Sequence, residues 1–179
     1  YVELIDEQFD PFVYQDADLV AITAYTTNAP RAYEIAGIYR KNGIPVVMGG
    51  IHASMMTDEA LEFVDSVVIG EAEEVWPTVL ADFLNGTLKP VYRGEYPSLE
   101  NRTIPDRTIF DKRYMLNSIQ TSRGCPWNCD FCSVTKFNGR RYRQRPVEEI
   151  LDELETIPNH YILFVDDNLI GYSKAAEQR

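Results

Sequence analysis

The sequence predicts an α/β fold whose first half is a parallel sheet covered by helices on both faces. Strands are expected in three apolar runs, "DLVAITAY", "IPVVMGG" and "SVVIG". These runs are continuous rather than alternating, which is typical of strands buried on both faces. Helical patterns such as "AYEIAGIYRKN" and "EEVWPTVLADFLNG" follow them, and this strict alternation favours a parallel sheet.

The helices of this half carry recognisable end signals. Asn28 can cap the first helix, Pro30 suits its first turn, and Gly43 stands where a left-handed residue ends many helices. Thr57 opens a short helix, and the last helix ends at Gly86. We therefore expect a Rossmann-like (flavodoxin-like) domain over residues 1–87, which binds ligands beyond the carboxyl ends of its strands.

The second half predicts another β-α-β unit after a linker. Residues 88–117 contain three prolines and no sustained periodicity, which indicates a linker over the surface. The strand "NSIQTS", the helix "PVEEILDELETI" with Pro146 at its first position, and the strand "YILFVDD" then follow within residues 118–179.

Composition narrows the function classes. A formal net charge of -11 argues against a protein that coats nucleic acid, because clustered Lys and Arg carry phosphate binding. No apolar stretch approaches the roughly 18 residues of a membrane span, and no signal-peptide pattern opens the chain. These observations predict a cytoplasmic protein.

All three cysteines lie in "RGCPWNCDFC", at Cys125, Cys129 and Cys132. An odd, tightly spaced set is a poor disulfide framework and more often binds metal or performs redox chemistry. A structural zinc site has four protein ligands, and the two histidines, His52 and His160, are distant from the cysteines in the sequence. A cubane iron-sulfur cluster held by three cysteines leaves one iron without a protein ligand. Zinc completed by a distant histidine stays open as the alternative.

The pattern Cys125-x-x-x-Cys129-x-Phe131-Cys132, with the lead-in "TSRGCP", resembles the radical S-adenosylmethionine (SAM) enzymes. The resemblance implies that residues 118–179 begin a TIM-type radical SAM barrel and that the three cysteines hold a 4Fe-4S cluster. Its open iron would chelate SAM, whose reductive cleavage yields a radical that abstracts hydrogen from substrate. A flavodoxin or ferredoxin would supply the electron, and Phe131 would lie by the SAM adenine through its backbone.

The end of the strand "YILFVDDNLIG" carries Asp166, Asp167 and Asn168. In radical SAM enzymes this position contacts the SAM amino group, although their commonest motif there, glycine-glycine-glutamate, is missing from this chain. Carboxylates suit an ammonium equally well. The alternative is that these residues cap the helix expected near Ser173 or form its preceding turn.

A basic run follows the cysteines and could hold a carboxylate or phosphate of SAM or substrate, or a reducing protein. The alternative is a solvated loop whose arginines pair with the acidic helix "EEILDELE". The run comprises Lys136, Arg140, Arg141, Arg143 and Arg145.

The first half resembles the cobalamin-binding domain that precedes the barrel in one radical SAM subgroup, through stretches such as "GIPVVMGGIHAS" and "VVIGEAEEVWP". No aspartate-x-histidine-x-x-glycine loop, the source of the lower cobalt ligand, occurs in this chain. By the resemblance that loop would precede Tyr1, so two alternatives stay open: the loop lies upstream, or the full protein lacks it. We interpret His52 as a loop histidine lining the cleft. The resemblance assigns cobalamin contacts to Thr23, Tyr25, Thr26, Gly49, Gly50, His52, Gly70 and Glu71.

Both chain ends suggest an excerpt of a longer protein, since Tyr1 enters the strand-like "YVELIDE" directly. In the flavodoxin-like order the neighbour of that strand would precede Tyr1, so the strand must shift, pair elsewhere or stay poorly ordered. Two barrel strands cannot close, so we expect exposed apolar edges, self-association and no turnover from this chain alone.

The predicted function is radical hydrogen abstraction from a small molecule or lipid precursor, followed by methyl transfer from methylcobalamin in one hypothesis. A second hypothesis is a radical oxidoreductase or cyclase with a corrin-free Rossmann domain. A third, of another class, is a non-catalytic zinc-binding interaction module. Nucleic-acid substrates are not expected, because only one short basic run is present.

Overall fold

The computed structural model describes residues 1–158 and 161–170 and contains two compact units. One unit is Tyr14–Pro97, and the other combines Tyr1–Val13 with the chain from Ser98 onward. Residue 87, where the sequence predicts the first domain to end, lies inside the unit Tyr14–Pro97. His160 and the helix expected near Ser173 fall outside the described residues.

The unit Tyr14–Pro97 contains a four-stranded parallel sheet. Its strands lie side by side in chain order: β1 (Val20–Thr23), β2 (Val46–Gly49), β3 (Ser66–Ile69) and β4 (Val91–Arg93). The first three residues of both β2 and β3 are buried in succession, so both faces of these central strands are covered. The continuous apolar runs therefore predicted the sheet correctly.

Helices follow the strands as the alternation predicted. They are α1 (Ala29–Lys41), α2 (Gly50–Met55), α3 (Thr57–Phe63) and α4 (Trp76–Leu84). Proline lies in the first turn of α1, and Gly43 just beyond its end has a left-handed φ of 76°. Asn28 precedes α1, but its side chain makes no capping hydrogen bond.

Strand β4 lies within the stretch that the sequence assigns to a linker. Its three residues stand between Pro90 and Gly94, which interrupt any apolar run. Val67 of β3 pairs with Val91 across the sheet, and this register fixes a strand that has no periodic pattern of its own. Local pattern could not identify it, because pairing with β3 defines it.

The predicted strand in "YVELIDE" is wrong for the structure, in which these residues form no strand. The Tyr114 hydroxyl donates to Asp6 of this segment, and the residues that follow it make further side-chain contacts within the same unit. Phe9 packs edge-on against Tyr114, with ring centroids 4.7 Å apart, and Asp10 forms an ion pair with Arg113. Residues 1–7 are exposed, so water can satisfy their backbone groups without a sheet.

The second unit contains the predicted β-α-β arrangement. Its elements are β5 (Leu116–Ile119), β6 (Ser122–Arg123), α5 (Val134–Phe137), β7 (Arg143–Gln144), α6 (Val147–Thr156) and β8 (Tyr161–Phe164). Strands β5 and β8 are parallel, and α6 connects back to β8. Strands β6 and β7 form a short antiparallel pair that closes the cysteine loop between them.

A buried ion-pair cluster fastens α6 to β5. The Glu153 carboxylate accepts from Arg107 and Arg145 at 2.5 Å each, and all three side chains are less than a tenth exposed. The two guanidinium groups also donate to the carbonyl oxygens of Ser118 and Gln120. The charges are thus paired and hydrogen-bonded, as buried charges require.

Apolar side chains of β5 and β8 are exposed, which agrees with the prediction of open apolar edges. Tyr161 is 73% exposed, and Leu116 and Leu163 are each about half exposed. Self-association through these edges stays a prediction. Across residues 1–158 and 161–170, no helix combines the length and apolar character that crossing a membrane requires.

Candidate functional site

The cysteine loop begins after β6 and ends before β7. Its two ends, near Gly124 and Gly139, lie close together and form a narrow neck. The backbone N–H of Cys125 donates to the carbonyl of Gly139 at 3.3 Å, which brings the two ends of the loop together. Gly124, at the neck, has a φ of 85°, and a Cβ there would lie 2.3 Å from the carbonyl oxygen of Arg141. This neck therefore requires glycine.

The three thiols share this loop. None forms a disulfide; Cys125 and Cys132 are partly buried, whereas Cys129 is exposed. The N–H of Cys132 donates to the carbonyl of Cys129 at 3.1 Å, so these two cysteines share one tight turn. In the described part of the chain, no three His, Cys, Asp or Glu side chains are gathered as a metal site. The donor set nevertheless fits an iron-sulfur cluster, because thiolates are soft ligands and these thiols are unpaired and accessible.

Asp166, at the carboxyl end of β8, binds the turn between β5 and β6. Its carboxylate accepts from the Thr121 N–H at 2.9 Å, from the Ser122 hydroxyl at 2.6 Å, and from the Thr121 hydroxyl and the Ser122 N–H. These four donors give Asp166 a role that the sequence did not predict. Its contact with SAM stays a prediction.

Asp167 and Asn168 face the cysteine loop itself. Asp167 Oδ2 accepts from the backbone N–H of Gly124 at 2.9 Å and from the Asn138 side chain at 2.8 Å. The side-chain nitrogen of Asn168 lies 4.0 Å from the sulfur of Cys125. The sequence placed these residues near the cluster, because parallel strands end at the same edge. It missed Asn138, which carries no motif of its own.

Two aromatic side chains project from the loop. Phe131 is 93% exposed and Trp127 is 61% exposed. The predicted contact of Phe131 with adenine uses its backbone, which this exposure leaves untested. The sequence gave no signal for Trp127, which occupies one of the unspecified positions of the Cys125-x-x-x-Cys129 spacing.

The basic run is divided between structural and exposed residues. Arg145 pairs with Glu153 of α6, as the alternative interpretation predicted. Arg143 is buried, and its guanidinium donates to the carbonyl of Asn138 at 3.1 Å. Arg140 and Arg141 are exposed and stay candidates for an anionic ligand.

In the unit Tyr14–Pro97, glycines lie at the carboxyl ends of three neighbouring strands. The position of Gly49 has room for a side chain, because a Cβ there would come no closer than 3.8 Å to its neighbours. A Cβ on Gly50 would lie 2.5 Å from the Thr23 hydroxyl, and one on Gly70 would lie 3.0 Å from the Gly94 carbonyl. Gly50 and Gly70 therefore make room for neighbouring chain, while Gly49 leaves bare backbone at the edge.

The other residues predicted at this edge differ in accessibility. Tyr25 is largely exposed and can meet a ligand, whereas Glu71 is buried. Thr26 contacts the ring of His52, with 3.3 Å between the hydroxyl oxygen and Nδ1. Only part of the predicted cobalamin set thus presents its side chains to solvent.

The interpretation of His52 as a loop histidine is wrong, because it lies in α2 and is only 3% exposed. Its Nε2 lies 2.7 Å from the hydroxyl of Tyr33, which donates to Glu59 at 3.1 Å. Burial, followed by the hydrogen bond to Glu59, raises the pKa of Tyr33 to about 12. Helical spacing brings Tyr33 to this point, but its sequence context gave no signal.

A parallel α/β sheet followed in the chain by a β-α-β unit with a three-cysteine loop is the arrangement that the resemblance to radical SAM enzymes predicts. Residues 119–175 match the family model of the radical SAM superfamily, and residues 6–80 match that of the B12 binding domain. The chain belongs to the radical SAM superfamily, in the subgroup with an N-terminal B12-binding domain.

Curated relatives cover both halves of the chain. Bacteriochlorophyllide d C-8(2)-methyltransferase of Chlorobaculum tepidum is 37% identical, over 90% of this chain and 38% of that protein. Hopanoid C-2 methylase of Rhodopseudomonas palustris is 28% identical, over 98% of this chain and 36% of that protein. Anaerobic magnesium-protoporphyrin IX monomethyl ester cyclase of Cereibacter sphaeroides is 31% identical, over 80% of this chain and 28% of that protein. The chain thus spans less than half the length of these relatives.

A solved structure supports the fold. The radical SAM methyltransferase TsrM from Kitasatospora setae, with tryptophan and a SAM analogue bound, matches with a TM-score of 0.70 at 21% identity. The match covers 90% of this chain and 39% of TsrM. It agrees with the expectation of a Rossmann-like sheet followed by the start of a radical SAM barrel.

Proposed function

We propose that this chain is the cofactor-binding part of a radical SAM enzyme that cleaves SAM reductively and abstracts hydrogen from its substrate. The observation that carries the proposal is the set of three free cysteines on one loop beside the carboxyl ends of β5 and β8. Cys125, Cys129 and Cys132 would hold the 4Fe-4S cluster as thiolates. When bound, the cluster supplies the electron that cleaves SAM and an open iron to which SAM binds.

The chain's own residues position these cofactors. Asp166 fixes the turn that leads into the loop, and Asp167 fixes the loop's neck. A carboxylate can accept about four hydrogen bonds, and both described bonds of Asp167 use Oδ2. Its other oxygen can therefore accept from the SAM ammonium, with Asn168 beside it, while Phe131 borders the adenine through its backbone.

Cobalamin-dependent methyl transfer is the reaction that we favour for the whole protein. The B12-binding family match and the names of the relatives, which include methyltransferases and a methylase, support it. The bare backbone at Gly49 and the exposed Tyr25 offer a surface on which a corrin can lie. The remaining proposed contacts at this edge are Thr23, Thr26, Gly50, His52, Gly70 and Glu71.

A corrin-free cyclase or oxidoreductase is the second candidate. The observation that favours it is a cyclase among the relatives, which is 31% identical to this chain. Hydroxocobalamin separates the two candidates. A shift of its visible spectrum on titration with the chain supports methyl transfer, whereas an unchanged spectrum at saturating protein favours the cyclase.

The proposed substrate is a small molecule or lipid precursor, because the relatives are named for bacteriochlorophyllide, hopanoid and a porphyrin ester. A flavodoxin or ferredoxin is the proposed electron donor. We do not propose a nucleic-acid substrate, since the basic run is short and its Arg145 is used in an ion pair with Glu153 of α6.

Anaerobic reconstitution with iron and sulfide tests the proposal. We expect about four iron and about four sulfide ions per chain, lost together when any one cysteine becomes alanine. SAM should then perturb the electron paramagnetic resonance (EPR) spectrum of the reduced cluster. About one zinc ion per chain with no iron would instead establish the zinc-binding interaction module.

A further inference from the structure

One carboxylate, in the segment that follows β8, reaches both ends of the cysteine loop. Asp167 Oδ2 accepts from the backbone N–H of Gly124, which enters the loop, and from the side chain of Asn138, where α5 ends. These residues are fourteen positions apart in the sequence, and the loop between them carries every cysteine of the chain. Asp167 therefore bridges the entry and the exit of the loop.

We propose that Asp167 is a positioning residue, a clamp at the loop neck that holds Cys125 in place for cluster assembly. The inference deepens the proposed function and rests on it for the identity of the cluster. It assigns to Asp167 a task distinct from contact with SAM, because its two partners lie in the loop itself.

The β6–β7 pair brings the two arms of the loop together, but inside that pair the main-chain bond that closes the neck at Cys125 is long. The bond from Cys125 to Gly139 is 3.3 Å long, beyond the usual range of about 2.7–3.2 Å for N–H···O bonds. The bonds that Asp167 accepts are 2.9 and 2.8 Å long, and their acceptor is a carboxylate oxygen. Charge-assisted bonds of this kind are roughly twice as strong as neutral ones.

The clamp acts on one cysteine more than on the others. Gly124 immediately precedes Cys125, and Asn168, the neighbour of Asp167, approaches the sulfur of Cys125 to 4.0 Å. Cys129 and Cys132 are instead joined by their own turn. Release of the neck should therefore move Cys125 relative to that pair and weaken the ligand set.

Four variants test the clamp in the full chain. Asp167→Ala removes both bonds, Asn138→Ala removes one, and Asp167→Asn keeps the shape without the charge. Asp152→Asn, on the exposed face of α6, is the charge-matched control. Circular dichroism and thermal melting check that each variant folds.

The main readout is cluster retention after anaerobic reconstitution. We expect Asp167→Ala to lose iron to a chelator about tenfold faster than the parent chain, since a charged hydrogen bond is worth a factor of that order. Asn138→Ala and Asp167→Asn should be intermediate, with a changed EPR spectrum of the reduced cluster, and Asp152→Asn should match the parent. Parent-like iron loss and spectrum in a folded Asp167→Ala chain would overturn the clamp.

A second readout does not depend on the cluster. In the metal-free chain, Asp167→Ala should accelerate alkylation of Cys125 relative to Cys129, measured by mass spectrometry of peptides. Unchanged labelling of Cys125 also contradicts the proposal. A parent chain that binds no iron, but whose labelling responds to Asp167→Ala, refutes the proposed function and retains the clamp.

Discussion

Glu153 and Arg145 form a buried ion pair behind the strand that leads into the cysteine loop. The same carboxylate also binds Arg107, so one negative charge holds two positive ones. The Arg145 guanidinium donates onward to the carbonyl of Gln120, and its backbone N–H donates to the carbonyl of Thr121. The cluster thus fixes the chain just before the neck.

The first prediction concerns this cluster. Glu153→Gln removes the carboxylate that these two guanidinium groups share and leaves both cations buried. Breaking a buried pair in this way costs about 3–5 kcal/mol, so urea unfolding should show a loss of that size. Glu155→Gln, at an exposed position of α6, should change the free energy of unfolding by less than about 0.5 kcal/mol. Equal effects of the two variants would contradict a stabilising role for the cluster.

The second prediction concerns the loop neck. Gly124→Ala places a methyl group 2.3 Å from the Arg141 carbonyl at a φ of 85°, so the free energy of unfolding should fall by at least about 1 kcal/mol. Gly37→Ala is the matched control, because a Cβ there meets nothing within 4 Å and Gly37 lies inside α1. That variant should gain about 0.5–1 kcal/mol. Opposite signs for the two substitutions, measured by denaturant unfolding, are the expected result.

The third prediction concerns Tyr33, whose pKa is raised to about 12 by burial and by Glu59. An unfolded tyrosine ionises near pH 10, so between about pH 10 and 12 only the unfolded chain loses this proton. This contribution to stability is complete below about pH 10 and disappears as the pH rises toward 12. Tyr33→Phe should flatten that part of the stability curve and remove a tyrosinate absorbance step near pH 12. A parent-like curve in this variant would exclude Tyr33 as the cause.

The sequence predicted the strands and helices whose own residues show an apolar pattern. β2 and β3 are continuous apolar runs because both of their faces are buried, and β5 with β8 follows from an ordinary β-α-β spacing. Contacts between residues that are distant in the sequence could not be predicted from it. β4 exists through its pairing with β3, and the role of Asp167 depends on Asn138, a residue without any signal.

The same limit applies to His52. A histidine two residues after a double glycine suggests a loop at the sheet edge, but α2 begins directly at Gly50 and turns the ring inward onto Tyr33. Helix onset depended here on the left-handed φ of 85° at Gly50, which a sequence pattern does not specify.

The last prediction separates a ligand-binding glycine from a structural one. Gly49 is in extended backbone with φ of -132°, and a Cβ would meet nothing closer than 3.8 Å, so Gly49→Ala should leave the free energy of unfolding nearly unchanged. If a corrin lies against this bare backbone, the added methyl group should weaken hydroxocobalamin binding about tenfold, which corresponds to about 1.4 kcal/mol. Equilibrium titration of the parent, Gly49→Ala and the remote Gly37→Ala chain measures this difference. Equal affinities in all three would show that Gly49 only shapes the turn into α2 and that the corrin, if bound, lies elsewhere along the edge.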